Sequence, residues 1–158
     1  MSSHPAEFEK LFTVEQANKM LPLVRAIVAD LQRLYLELVE RQRRLDHLNT
    51  GREDDAEDPY SDELRAIDVQ LEVDRRRLRD YVQELKDLGV ECKDPGQGLV
   101  DFPAEMDDDI VYLCWKLDEP EVLHWHHLDA GFAGRKPLTA GAVAGEDVGD
   151  LEDAFGDD

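Results

Sequence analysis

Between Gly98 and Leu138 the sequence gathers most of the side chains able to do chemistry. Asp101, Cys114, Glu119, His124, His126, His127 and Arg135 all fall there, together with both tryptophans, Trp115 and Trp125. Imidazole, thiolate and carboxylate are the usual ligands of transition metals, so Cys114, Glu119 and His126 are the candidate metal ligands, and a divalent transition metal is the cofactor they would imply. On a strand through 122–128, the period of two sets His124 and His126 on one face and His127 and Asp129 on the other. The plainer alternative is structural. No spacing matches a closed zinc motif, and a lone Cys114 is most often a small buried core residue, with His126 bonded to Glu119 or Asp101.

The run GFAGRKP carries a second kind of chemistry. Two glycines three apart permit close backbone approach, and Arg135 with Lys136 adds positive charge suited to a carboxylate or phosphate. The internal alternative pairs Arg135 with Asp101 or Glu119, and the run is too short for a P-loop or a dinucleotide fingerprint. Trp115 and Trp125 either stack on a planar ligand or fill the core. Asp101, Trp115, Trp125 and Arg135 are therefore the candidate ligand-binding residues. No catalytic set is assigned, because nothing local activates Cys114 and no Ser-His-Asp arrangement is legible.

The elements that must position these residues are easier to read. Thr13 and Gln16 have capping-box spacing, followed by a short helix over 14–20 and a longer one with Pro22 in its first turn; a single kinked helix is the alternative. Val24, Val28, Leu31, Tyr35, Leu38, Leu45 and Leu48 recur at steps of three and four, with Gln42 the polar exception. Leu64, Ile67, Leu71, Leu78, Tyr81, Leu85 and Leu88 do likewise, with Asp74 in the seam. Two such helices predict an antiparallel, coiled-coil-like hairpin, joined by the breaker-rich TGREDDAEDPYS. Gly89 stands where a C′ glycine ends the second helix. Strands are predicted at 90–93, at 99–102 ended by Pro103, at 110–117 and at 122–128, giving a three- to four-stranded antiparallel sheet that the hairpin covers on one face. The fold class is α+β: one domain over 12–138, a mobile lead-in over 1–11, and a disordered acidic tail over 139–158.

Charge sets limits on partners. The chain of 158 residues carries a net −20, which argues against nucleic acid, since binding phosphates requires an excess of Lys and Arg. The acids concentrate in three places: five in Glu53–Asp58, eight against one Lys from Asp101 to Glu121, and seven with no base after Leu138. Such clustering reads as acidic loops and tail rather than salt adaptation. Arg75-Arg76-Arg77, with acids around it, reads as a salt-bridged helix face. No signal peptide or membrane span is visible and only two cysteines occur, so a cytoplasmic location without a disulfide framework is expected.

GLVDFPA at 98–104, LCW at 113–115, Glu119, Trp125-His126 and GFAGRKPL at 131–138 resemble a bacterial family catalogued as domain of unknown function 2203. The likeness extends to FTVEQANKMLP at 12–22. Where the family shows Gly-Glu this chain has Asp118-Glu119, and His124 and His127 lie outside the family pattern. The resemblance implies a helical hairpin with a small sheet, and no established activity.

Two functions are compatible with these features. The favoured one is a non-enzymatic binding or assembly module, forming a homo-oligomer or taking a protein partner through the hairpin. The alternative is a metal- or anion-binding protein or small enzyme, with its site built on the sheet from Asp101, Cys114, Glu119, His126 and Arg135.

Overall fold

A computed structural model describes residues 8–50 and 61–138. Residues 1–7 of the expected lead-in over 1–11, most of the linker and the tail after Leu138 lie outside the described residues, while Phe8 in the rest of that lead-in packs edge-on against Tyr112. Two helices, α1 (Val14–Asn49) and α2 (Ser61–Asp87), precede five strands: β1 (Glu91–Asp94), β2 (Leu99–Met106), β3 (Asp109–Lys116), β4 (His124–His127) and β5 (Lys136–Pro137). The strands form one antiparallel sheet in the order β1-β2-β3-β4-β5. Phe12, just before α1, packs on Gly89, just after α2, while Arg41 in mid-α1 meets Asp74. The helices are therefore antiparallel.

The helix ends follow from side-chain chemistry. At the start of α1, Thr13 Oγ1 accepts the Gln16 N–H while Gln16 Oε1 accepts the Thr13 N–H, the reciprocal bonds of a capping box. At the end of α2, Val90 N–H reaches the Leu85 carbonyl and Gly89 N–H the Lys86 carbonyl, a Schellman motif. Gly89 has φ +89°, which only glycine adopts freely.

The expected break near Pro22 does not occur. Helix α1 is continuous through Pro22, although the ring removes the N–H that would bond the Asn18 carbonyl. Leu21 and Val24 on either side are buried in the core, and that burial outweighs one missing hydrogen bond. The buried row on α1 also differs from the expected seam, since Leu34 rather than Tyr35 is enclosed.

The sheet departs from expectation in two ways. Strand β2 runs through Pro103 to Met106 instead of stopping there. The Pro103 carbonyl accepts the Phe12 N–H at 2.7 Å, so this residue's backbone polar groups point past the end of β1 and no ladder bond with β3 is lost. A fifth strand, β5, pairs the RKP segment with β4 as a short edge carrying Lys136 and Pro137, residues that discourage further pairing. The β2–β3 turn is equally informative. Asp107 and Asp108 both have positive φ (54° and 66°) between the paired Met106 and Asp109, the geometry of a two-residue type I′ hairpin. The β3–β4 connection turns with the Glu119 N–H on the Lys116 carbonyl, and Asp118 needs no positive φ.

The first half of α1 packs on one face of the sheet. Ala17, Leu21, Val24, Val28 and Leu31 meet Val100, Phe102, Ala104, Val111, Leu113 and Trp115 in one core. A polar row on the same helix holds the loops in place. Asn18 Oδ1 accepts the Val122 N–H (2.7 Å), Arg25 donates to the carbonyls of Glu119 and Pro120, and Gln32 donates to the Gly96 carbonyl. These three residues are spaced by seven, so they stay on nearly one line of the helix. Gly98 closes the same joint: a Cβ there would stand 2.8 Å from Leu117 Cβ and 3.1 Å from Val28.

Beyond Tyr35, which packs against Gly96, the remainder of α1 and the facing part of α2 extend as a two-helix arm, roughly 20 Å long at 1.5 Å per residue. Asp74 is buried in its seam against Arg41 and Gln70, and Arg75 donates to Gln42. The basic run is salt-bridged, Arg75 to Glu72 and Arg77 to Asp74. Among the described residues no helix is long and apolar enough to cross a membrane.

Asn18→Ala leaves the buried Val122 N–H without its acceptor and is expected to cost about 1–3 kcal/mol. Asn18→Asp keeps the acceptor and is expected to lose much less. Urea unfolding of the two variants checks this, and equal losses would assign Asn18 no capping role for that loop.

Candidate metal and ligand site

The strand register builds the site. Cross-strand partners in an antiparallel sheet share a face. Glu91 is opposite Asp101, Asp101 opposite Cys114, and Cys114 opposite His124, so four adjacent strands contribute one transverse row of titratable side chains. The next row places Tyr112 opposite His126. Both rows lie on the face away from α1. The core residues Val100, Leu113 and Trp115 alternate with them along the strands and point to the helix.

At the centre of this face Asp101, Cys114 and His126 are 1%, 0% and 3% exposed. One potential ligand atom from each lies within 4.8 Å of the others. His126 Nδ1 is 2.7 Å from the His127 carbonyl, which can only accept, so Nδ1 carries a proton, and the 3.0 Å contact of Nε2 with Asp101 Oδ2 takes a second one, on Nε2 or on the carboxyl. A backbone carbonyl holding Nδ1–H is the support a metal-binding imidazole commonly has. The other Asp101 oxygen, Oδ1, is buried; no N–H or O–H donor reaches it among the described residues, and besides His126 only the weakly donating Cys114 thiol acts on this carboxylate. Buried polar atoms are rarely left so.

Burial and charge tune these groups. Burial raises the Asp101 carboxyl above its ordinary range, opposed by His126 and by the Cys114 thiol. Burial, reinforced by the Asp101 carboxylate, pushes the Cys114 thiol up to about 12, with Arg135 opposing. Cys114 is therefore a thiol at neutral pH, and a cation must displace its proton to bind sulfur.

A second cluster adjoins the first. Arg135 Nη2 donates to Glu119 Oε2 at 2.6 Å and to His124 Nδ1 at 2.7 Å. The second bond leaves the His124 proton on Nε2, and burial together with Arg135 holds this imidazole's pKa down. Glu119 is locked further, with Oε1 accepting the Lys116 N–H and its carbonyl accepting Trp115 Nε1–H. Phe132 lies over this flank, 4.8 Å from the Arg135 guanidinium and 5.7 Å from Lys116 Nζ. Arg135 Nε is buried without a hydrogen-bond partner among the described residues. On the opposite flank Tyr112 donates to Glu91, which also pairs with Lys93, and the Tyr112 ring is 5.5 Å from His126.

The structure thus brings Asp101, Cys114 and His126 together and sets Glu119 beside them with Arg135 rather than among the three. His126 pairs with Asp101, and Arg135 pairs with Glu119. Trp115 and Trp125 occupy the other face: Trp115 is fully buried in the core and Trp125 is packed against it. His124 belongs to the second cluster, while exposed His127 contributes its carbonyl to His126. Tyr112 and Glu91 were not singled out from sequence. Their signal was register alone, since both align with the row once the β2–β3 turn is known.

Cys92, Cys114 and Tyr112 are all raised by burial, to about 11, 12 and 12 from ordinary values of 9.0, 9.0 and 10.0. Their protonated forms are favoured in the folded chain. The stability they contribute is complete below the ordinary values and is lost as pH rises through the folded ones. The urea midpoint is therefore expected to fall steadily above pH 9, and less steeply in Cys114→Ser. A midpoint constant to pH 11 would contradict this.

No curated protein and no solved structure matches the chain. A family model described as "Uncharacterized conserved protein (DUF2203)" matches residues 10–138, which span the site, α1, α2 and every strand. The chain belongs to the DUF2203 family.

Proposed function

We propose that this protein binds a divalent transition metal, zinc being the best fit, through Asp101, Cys114 and His126. The observation that carries the reading is the convergence of three buried donors, with one carboxylate oxygen that no N–H or O–H reaches among the described residues. Oxygen, sulfur and nitrogen from three strands suit Zn²⁺, and three protein ligands are the usual complement of a site with one coordination position left for another ligand. Ligand atoms of a tetrahedral zinc site stand roughly 3.4–3.8 Å apart, and the three donors here all lie within 4.8 Å of one another, so small side-chain adjustments would bring them to a metal. The rigid sheet supplies the alignment. The charge balance also fits, since one dication meets one carboxylate and one thiolate.

Cobalt reports on this directly. Purified protein titrated with Co²⁺ is expected to bind one equivalent and to develop a near-ultraviolet thiolate-to-cobalt charge-transfer band. Cys114→Ser removes the band, and His126→Gln weakens binding by roughly 10- to 1000-fold. Because binding displaces the thiol proton, affinity rises at least about tenfold per pH unit across neutrality. Folded wild-type protein that takes up no cobalt, or takes it up without the band, would refute the reading.

A second reading concerns the arm, where Leu36, Val69 and Val73 are exposed. Assembly of copies of this chain, or docking of a protein partner, would cover them. Light scattering at high micromolar concentration is expected to show a species larger than the monomer, dissociated by Val69→Glu with Val73→Glu. A monomer throughout that range removes self-association.

A further inference from the structure

We infer that the same site takes an oxyanion, a carboxylate or phosphate group, on its Arg135 flank, bound together with the metal; this rests on the metal reading. The buried row of the sheet and the flank beside it hold two buried polar atoms without an N–H, O–H or oxygen partner among the described residues: Asp101 Oδ1, an acceptor in the row, and Arg135 Nε, a donor on the flank. They lie on opposite sides of Cys114. Asp101 is its register partner on β2, and Arg135 bonds to His124, its register partner on β4. An acceptor of that kind takes a cation, and a buried guanidinium N–H takes an anion. One pair of ligands answers both: a metal held by Asp101, Cys114 and His126, and an oxyanion that completes its coordination and accepts from Arg135.

The other groups on this flank agree with an incoming anion. Both Glu119 oxygens are already engaged, one by Arg135 and one by the Lys116 N–H. The His124 proton sits on Nε2, so the free edge of that ring is a donor. Lys116, ion-paired with Asp118, lies at the rim. The cluster borders the surface: Asp101 is enclosed, but His124 and Lys116 are partly exposed and Phe132, on the short 3₁₀ segment above them, is exposed. The acids and bases near the cluster are tied up, so the site holds an anion better than it activates a nucleophile of its own.

Cobalt-loaded protein tests the inference. Inorganic phosphate and acetate are titrated separately, and one or both are expected to shift the visible cobalt spectrum saturably; which of them acts tells phosphate from carboxylate ligands. Arg135→Lys keeps a cation for Glu119 but lacks the Nε–H. It is expected to retain the thiolate band and to lose roughly 10- to 100-fold in anion affinity. A wild-type cobalt spectrum that ignores both anions at tens of millimolar overturns the inference and leaves the metal reading standing, whether or not Arg135→Lys folds. Equal anion affinity in a folded Arg135→Lys also overturns it. Absence of the thiolate band in wild type removes the metal reading, and the inference with it.

Discussion

The structure depends above all on the register of the β2–β3 hairpin. Two aspartates at positive φ make its turn, and every cross-strand pair from Met106–Asp109 to Leu99–Lys116 follows from that geometry. Side chains alternate with a period of two, so a slip of one residue would send Asp101 into the core and Val100 out to the polar face. The apolar residues of the two strands prevent that slip. Val100, Phe102, Val111, Leu113 and Trp115 all reach the core only in the observed register. The packing against α1 and the polar row are thus two faces of one constraint.

Helix α1 serves that sheet in two ways. Its apolar residues bury the sheet's inner face, and the heptad-spaced Asn18, Arg25 and Gln32 bind the backbone of the loops at the sheet's end. The Arg25 guanidinium also stacks near the Trp115 ring, so one side chain bonds the loop that carries Glu119 and covers the strand that carries Cys114. Because Glu119 pairs with Arg135, the position of the Arg135 flank is set from the opposite side of the sheet. The coupling is local and continuous: helix, turn, carboxylate, guanidinium.

The polar face is costly unless its groups satisfy one another. Most do. Tyr112, Glu91 and Lys93 form one network, and Arg135, Glu119 and His124 another. Asp101 Oδ1 and Arg135 Nε are the exceptions on this face among the described residues, and a buried polar atom of this kind calls for a water, an ion or another ligand.

The capped start of α1, the glycine that ends α2, the strand-rich second half and the cluster of chemically able residues were all legible in the sequence, because capping bonds, steric demands of φ and hydrophobic periodicity act over a few residues. That His124 and His126 share a face was also legible, from the period of two. Other features were decided by contacts distant along the chain. Pro22 sits inside a helix because the sheet buries its neighbours, and β2 passes through Pro103 because β1 has already ended there. The Asp107-Asp108 turn lacks the Asn-Gly signature that would have revealed the register, and without the register Glu91, Tyr112 and the convergence of Asp101 with Cys114 stay hidden. The sequence by itself determined which residues were available for a site. Only the tertiary structure decided that Asp101, Cys114 and His126 meet while Arg135 turns to Glu119, because a meeting of side chains from separate strands depends on pairing and twist that no local propensity encodes.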